Sequence, residues 1–406
     1  MNTFPITISL VLFACATGPL MAQVETASPP PANLKLLNQQ QWKQLDDSVE
    51  KGLKWLISQQ NDDGSFKTIE RGQPGVTALC VMAFLAQGES PIDGKYQQQL
   101  KKAIDFIADQ QKPNGLLATI APSSVPITRQ YAEVVKTDTP ASRFQANPTS
   151  ICTTAVYNHA ISALALSEAY GQCDPEQTDK LAPVIEKAIA ATLEMQRWKR
   201  KRQIDVGGWR YLSVLFPQDS DLSITGWQLM FLRSARNAGF EVPNESIEAA
   251  VKYVERCFLK DKNLQVHSYD AARRDTVTRA VAGAGILAMA HAGKHDSDDA
   301  IASGKWVLNH DFSKYDFEKP VHSETEWLSN RYHYGAFLCA AGMYQLGGKF
   351  WGKFFPKLAE SLLSNQEEDG AWLTGGKDQP YGGCYTTSLS ILSLSVSDQL
   401  LPIFQR

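Results

Sequence analysis

Gln366-Glu367-Glu368-Asp369-Gly370-Ala371-Trp372 decides the fold, because its spelling recurs along the chain. Gln-x-x-x-Gly-x-aromatic appears again at Gln60-Asn61-Asp62-Asp63-Gly64-Ser65-Phe66, and more weakly at Gln111-Lys112-Pro113-Asn114-Gly115-Leu116-Leu117. A fourth copy starts at Gln196 and is interrupted before Gly207-Gly208-Trp209. Each copy ends an amphipathic helical segment and precedes a helix of smaller residues, which is the signature of a repeat architecture. The element has a folding role of its own. Its Gln offers an amide to the orphan carbonyls of a helix end. Its Gly supplies a left-handed turn, and its aromatic packs back over the helix.

Outward from these turns, apolar spacing at three and four residues predicts twelve helices. They fall near 44–60, 75–88, 95–111, 149–171, 178–198, 222–239, 246–259, 276–292, 297–309, 325–347, 349–365 and 383–396. Strand signals are weak throughout. The helices pair into six hairpins. The first helix of a pair is richer in charge, as in Lys101-Lys102-Ala103-Ile104-Asp105-Phe106-Ile107. The second is richer in small residues, as in Ala280-Val281-Ala282-Gly283-Ala284-Gly285. Small residues let backbones approach closely. An inner ring of crowded helices inside an outer ring of charged ones is therefore expected: an all-α, (α/α)6 toroid. An open solenoid would need polar caps at both ends, and the last helix, Ser388 to Val396, is apolar throughout.

A formal net charge of -3 over 406 residues excludes a strongly basic nucleic-acid binder. The basic run Arg197, Lys199, Arg200, Lys201, Arg202 reads as a solvated loop. Residues 4–17 are apolar but too short to span a bilayer. With Gly18-Pro19-Leu20-Met21-Ala22 they form an export signal, residues 1–22, with cleavage after Ala22. No Lys or Arg marks its amino end. Leu12-Phe13-Ala14-Cys15 is a poor lipoprotein box, since Phe is bulky beside the cleavage point, so anchoring at Cys15 is disfavoured. Residues 23–43, with Ser28-Pro29-Pro30-Pro31-Ala32, read as a tether, and the toroid is expected over 44–406 with a long loop at 116–148. The expected location is periplasmic or extracellular, without a membrane span. Cys80, Cys152, Cys173, Cys257, Cys339 and Cys384 are scattered through apolar segments and read as buried thiols, with no zinc-type spacing. No metal and no cofactor is expected.

The Gln-Gly-aromatic repeat resembles that of the prenyltransferase and squalene-oxidase family, also called QW repeats, which includes squalene–hopene-type cyclases and protein prenyltransferase β subunits. The resemblance covers residues 44 to 406. The run Asp221-Leu222-Ser223-Ile224-Thr225-Gly226-Trp227 and the ending Leu400 to Arg406 are similar to an exported bacterial branch of it. It implies the toroid fold and leaves activity open. Class II cyclases use Asp-x-Asp-Asp, whose middle Asp protonates an alkene. Asp219-Ser220-Asp221-Leu222 matches that donor at Asp221 but lacks the last Asp, a partner that tunes acidity. The zinc-binding Asp-x-Cys of prenyltransferases is absent, and Gly382 stands where their His is needed.

Candidate site residues cluster where the inner helices begin, since helix amino ends present unpaired N–H groups and a positive dipole. Asp219, Asp221, Ser223 and Thr225 open the sixth helix, as N-caps or as acids. Trp227 follows one turn on. Arg273, Arg274 and Asp275 open the eighth, as a salt-bridged rim or as ligand contacts. Glu324, Glu326, Trp327, Asn330, Arg331, Tyr332, His333 and Tyr334 form the densest group of acids, bases and aromatics. His333 and Tyr332 suit general acid–base work, or are core aromatics. Tyr157, Asn158 and His159 lie in an apolar helix, where a hydrogen-bonded core role is the ordinary one. Asp219, Asp221, His333 and Tyr332 are thus the catalytic candidates; Trp227, Arg274, Trp327, Asn330, Arg331, Tyr334 and Tyr385 are the ligand-binding ones. The function expected is an exported toroid that binds an apolar, isoprenoid-like ligand, a glycan or a partner at its central mouth. The alternatives are a terpene cyclase using Asp221 and a polysaccharide-processing toroid.

Overall fold

A computed structural model describes residues 36–120, 148–212, 219–262, 264–272, 276–315, 331–373 and 375–405. Among these residues lie twelve α-helices. The charged series is α1 (Gln39–Ser58), α3 (Gln97–Asp109), α5 (Pro175–Arg197), α7 (Asn244–Arg256), α9 (Asp298–Asn309) and α11 (Gly348–Leu363). The small-residue series is α2 (Gly75–Leu85), α4 (Pro148–Tyr170), α6 (Leu222–Asn237), α8 (Arg279–His291), α10 (Tyr332–Leu346) and α12 (Gly383–Ser395). The second series packs in chain order, and α12 returns onto α2. The all-α, (α/α)6 toroid is therefore closed.

The four Gln-Gly turns are staples between successive outer helices. The Gln60 amide donates to the Gly64 carbonyl (3.0 Å) and to that of Gln99 in α3 (2.9 Å). Gln111 reaches Val184 in α5 (2.7 Å), Gln196 reaches Ser246 in α7 (2.9 Å), and Gln366 reaches Ser48 in α1 (2.9 Å). The amide thus serves the turn and the next outer helix, rather than its own helix end as the sequence suggested. The Gln366 staple closes the outer ring across 318 positions of sequence. Glycine is required in these turns: Gly64, Gly115, Gly207 and Gly370 all have φ between +87° and +101°. A methyl there would overlap carbonyls of the next outer helix, at Lys102, Lys187, Ala249 and Lys51. Trp209 and Trp372 turn back onto the preceding helix, donating their indole N–H to Thr192 (2.8 Å) and Leu362 (2.9 Å). The aromatic's backbone N–H is received by the following inner helix, at Thr77, Thr225 and Thr387, and by His159 in the Leu117 copy.

Helix ends follow local chemistry. α1 begins at Gln39, before the expected 44, because Asn38 and Gln41 form a reciprocal capping box ahead of the first apolar residues. Between α7 and α8 a short hairpin, β1 (Phe258–Lys260) and β2 (Gln265–His267), pairs Leu259 with Val266. Three-residue strands are too short to show alternation, which is why no strand signal marks them. Close inner packing is visible at Gly283, where a Cβ would collide with the Leu338 and Cys339 backbone of α10.

The end of the ring at the inner helices' carboxyl termini is filled by the chain itself. Leu401, Ile403 and Phe404 are buried there. Gln345 of α10 donates to the Phe404 carbonyl (3.1 Å), and Glu168 of α4 accepts the Ile403 N–H (3.2 Å). No helix among the described residues is long and apolar enough to cross a membrane.

Candidate functional site at the ring mouth

At the other end all six inner helices begin, and there they leave a chamber of about 220 Å³. Six tyrosines line it: Tyr157, Tyr211, Tyr269, Tyr334, Tyr381 and Tyr385. Trp227, Ser223, Asn158 and Arg331 add polar groups, and Val76, Leu79, Ile161, Val281 and Leu389 form an apolar wall.

Two Arg–Asp pairs organise the mouth. In the first, Arg210 follows the repeat aromatic Trp209. It donates to Asp221 Oδ2 (2.7 Å) and to the Tyr269 hydroxyl (2.8 Å), with its Nε 3.1 Å from Asp219 Oδ1. Asp221 is fully buried. Its Oδ1 caps α6 by accepting from Ile224 N–H (2.8 Å), and its Oδ2 also accepts from the Tyr269 hydroxyl (3.1 Å). Burial pushes the Asp221 carboxyl above its ordinary value, and the Arg210 guanidinium pulls it back. Asp219 is likewise raised by burial against Arg210. Tyr211 and Tyr269 share a hydrogen bond (2.7 Å) and stand between Asp221 and the chamber. Asp221 is thus one hydrogen bond behind the wall, not in it.

Of the second pair, Arg331 with Asp378, only Arg331 is in the wall, and Asp378 is behind it. Asp378 is buried, while the Arg331 side chain is 36% exposed inside the concavity. Burial raises the Asp378 carboxyl and Arg331 opposes it. Removing Arg331 would therefore leave a buried carboxylate without its cation, a cost that a simple surface contact would not carry.

Between the pairs runs a chain of hydroxyls. Tyr157 donates to Ser223 Oγ (3.0 Å), Ser223 and Tyr334 share a bond (2.7 Å), and Trp227 Nε1 donates to the Tyr334 hydroxyl (2.8 Å). Four donors make three bonds, so one hydroxyl proton, on Ser223 or Tyr334, is left for a ligand or water.

Of the sequence candidates, Trp227, Arg331, Tyr334 and Tyr385 come together in the chamber wall. Asp219 and Asp221 lie behind it. Tyr332 turns outward, bonding the Phe312 carbonyl (3.1 Å) and Ser361 of α11 (2.8 Å). His333 is buried against the Tyr315 hydroxyl (2.6 Å), and burial pushes its pKa down to about 3, so it is neutral. Both sit in the core, away from the lining. Arg274, Trp327 and Asn330, with Arg273, Asp275, Glu324 and Glu326, lie outside the described residues. His159 is structural: it accepts from Leu117 N–H (3.2 Å) and bonds Thr192 (2.9 Å). In the basic run, Arg200 is no solvated charge, because it clamps the interrupted turn by donating to Gly208 (2.7 Å), Met195 and Asp219 carbonyls. Sequence reasoning missed Tyr211, Tyr269, Tyr381 and Arg210. A Trp-Arg-Tyr run directly after a repeat glycine pair was the available signal. Among the described residues no group of His, Cys, Asp and Glu is placed to hold a metal.

No family model and no curated protein matches the chain. Solved structures do. The type II terpene cyclase MstE from Scytonema is similar with a TM-score of 0.52 and 12% identity, over 88% of this chain and 99% of that one. The glycoside hydrolase family 76 mannosidase Bt3792 from Bacteroides thetaiotaomicron is similar with a TM-score of 0.55 and 12% identity, over 87% and 98%. The α-1,6-mannanase GH76A of Salegentibacter sp., solved as an inactive variant with α-1,6-mannotriose, has a TM-score of 0.54 and 11% identity, over 86% and 98%. The shared feature is the α/α toroid. At these identities the likeness is one of fold.

Proposed function

We propose that the mouth binds a ring-sized amphipathic organic ligand that presents an acceptor oxygen, a carbonyl or carboxylate, to Arg331 and the Ser223–Tyr334 pair. The observation that carries this reading is the donor excess of a chamber whose described lining contains no acid. A volume of about 220 Å³ exceeds the roughly 150 Å³ that holds benzene and falls below the roughly 300 Å³ of drug-sized sites. The apolar wall favours such a ligand over a glycan, whose hydroxyls it would leave unpaired. Glycoside hydrolysis also needs two carboxyl groups facing the bond, and the described lining offers none.

The test is calorimetric titration of the full chain with dihydroxybenzoate, the ring-sized headgroup of the compound bound in one MstE structure, and with α-1,6-mannotriose. The first should bind at one site per chain and the second should not. Binding of mannotriose alone would replace this reading with the glycan one.

A second reading, acid catalysis of isoprenoid cyclisation, draws support from Asp221. Its carboxyl reaches the chamber through the Tyr269 hydroxyl, so a proton relay is geometrically available. Product formation that is lost in Asp221→Asn and in Tyr269→Phe would favour it. The four Gln-Gly turns support membership of the QW-repeat family. Residues 1–22 are read as an export leader and 23–43 as a tether, whose residues from Gln39 on belong to α1; amino-terminal sequencing of secreted protein should begin at Gln23.

A further inference from the structure

We infer that Cys80 and Cys384 are a disulfide pair that joins the first inner helix of the ring to the last. The two residues come from opposite ends of the chain, 304 positions apart. Cys80 lies in the middle of α2 and Cys384 in the first turn of α12, the two helices whose contact closes the inner ring. Cys80 Sγ is 3.8 Å from the Cys384 carbonyl oxygen. Both thiols are buried. Other cysteines look elsewhere: Cys339 to the Arg279 carbonyl (3.1 Å), and Cys173 to the Ala169 carbonyl of α4, the helix just before it (3.2 Å).

Two S–H bonds are lost and one S–S bond forms. The two electrons and two protons pass to a disulfide oxidant, either glutathione disulfide or a thiol–disulfide oxidoreductase, which is reduced to two thiols. Attack also requires that the oxidant reach the sulfurs, and both cysteines are buried inside the finished ring. The exchange therefore belongs to folding. The oxidant forms a mixed disulfide at one cysteine while α12 is undocked, and the other cysteine resolves it as α12 settles on α2. A cross-link over so long a loop removes much of the unfolded chain's freedom. It fixes a seam that has no covalent connection of its own. The proposed export supplies an oxidising setting, but the pairing itself does not depend on it.

The experiment refolds the full chain in reduced and oxidised glutathione, blocks remaining thiols under denaturant, and maps peptides without reduction. A Cys80–Cys384 peptide should appear, and reduction should lower Tm by several degrees. Cys80→Ser and Cys384→Ser should each abolish that redox dependence, whereas Cys339→Ser should keep it. If the serine variants fail to fold, the wild-type peptide map decides alone. Blocked, unlinked Cys80 and Cys384 after oxidative refolding, or a cross-link between other cysteines, would overturn the inference. Refolding in vitro leaves export untouched, so failure here and an uncleaved leader in cells are separate results.

Discussion

At the carboxyl ends of the inner helices the chain fills its own ring with Leu401, Ile403 and Phe404; at their amino ends it leaves a chamber of about 220 Å³. The polar groups differ in the same sense. In the filled end, Gln345 and Glu168 are matched to backbone partners in the tail. In the open end, the Ser223–Tyr334 pair keeps one hydroxyl proton to spare and a charged Arg331 faces the space. A ring that needed only to be stable could be finished twice in the first manner. The difference points to the open end as the working one.

The largest effect should come from breaking the filled end. Phe404 is buried and meets Phe337 edge-on, centroids 5.9 Å apart. Phe404→Ala should cost about 3–5 kcal/mol in urea unfolding and leave ligand affinity unchanged. Affinity falling with stability would merge the two ends into one site.

A pH experiment sharpens the same contrast. Burial pushes the Glu168 carboxyl up to about 7. A carboxyl with a raised folded-state pKa stabilises the fold below its unfolded pKa and loses that contribution as pH rises towards 7. The buried histidines, His159, His267, His291 and His333, are pushed down to about 3. They act oppositely, losing stability as pH falls below about 6.5. The difference in unfolding free energy between wild type and Glu168→Gln isolates the first slope. It should change by roughly 2–3 kcal/mol between pH 4.5 and 8, in favour of the variant at high pH. A pH-independent difference would mean that Glu168 titrates alike in the folded and unfolded chain.

At the open end the expected stability effects are smaller. Arg331→Ala should cost about 1–3 kcal/mol, because it orphans Asp378, and adding Asp378→Asn should recover most of that loss in the same urea assay. Without recovery, Arg331 is a packing residue rather than a charge. Ala280→Leu fills the chamber and should change stability by less than about 1 kcal/mol.

The sequence carried the architecture well, because Gln, Gly and aromatic recur at one spacing and each is needed where it stands. It carried the mouth only partly. Trp227, Arg331, Tyr334 and Tyr385 were legible because they open inner helices. Tyr332 and His333 share that register, yet their neighbours Phe312, Tyr315 and Ser361 come from other elements, and these turn them into the core. Tyr211 and Tyr269 lie on loops between helices, where no periodicity points inward. The Cys80–Cys384 contact depends on ring closure, which spacing along one chain cannot show.

The central claim is that the open end, and not the filled one, receives a ligand. Calorimetric titration with dihydroxybenzoate of wild type, Ala280→Leu and Phe404→Ala tests it directly. One binding site in wild type and in folded Phe404→Ala, abolished in Ala280→Leu, is the predicted result. Binding that survives a filled chamber, or no binding by wild type at all, would contradict it.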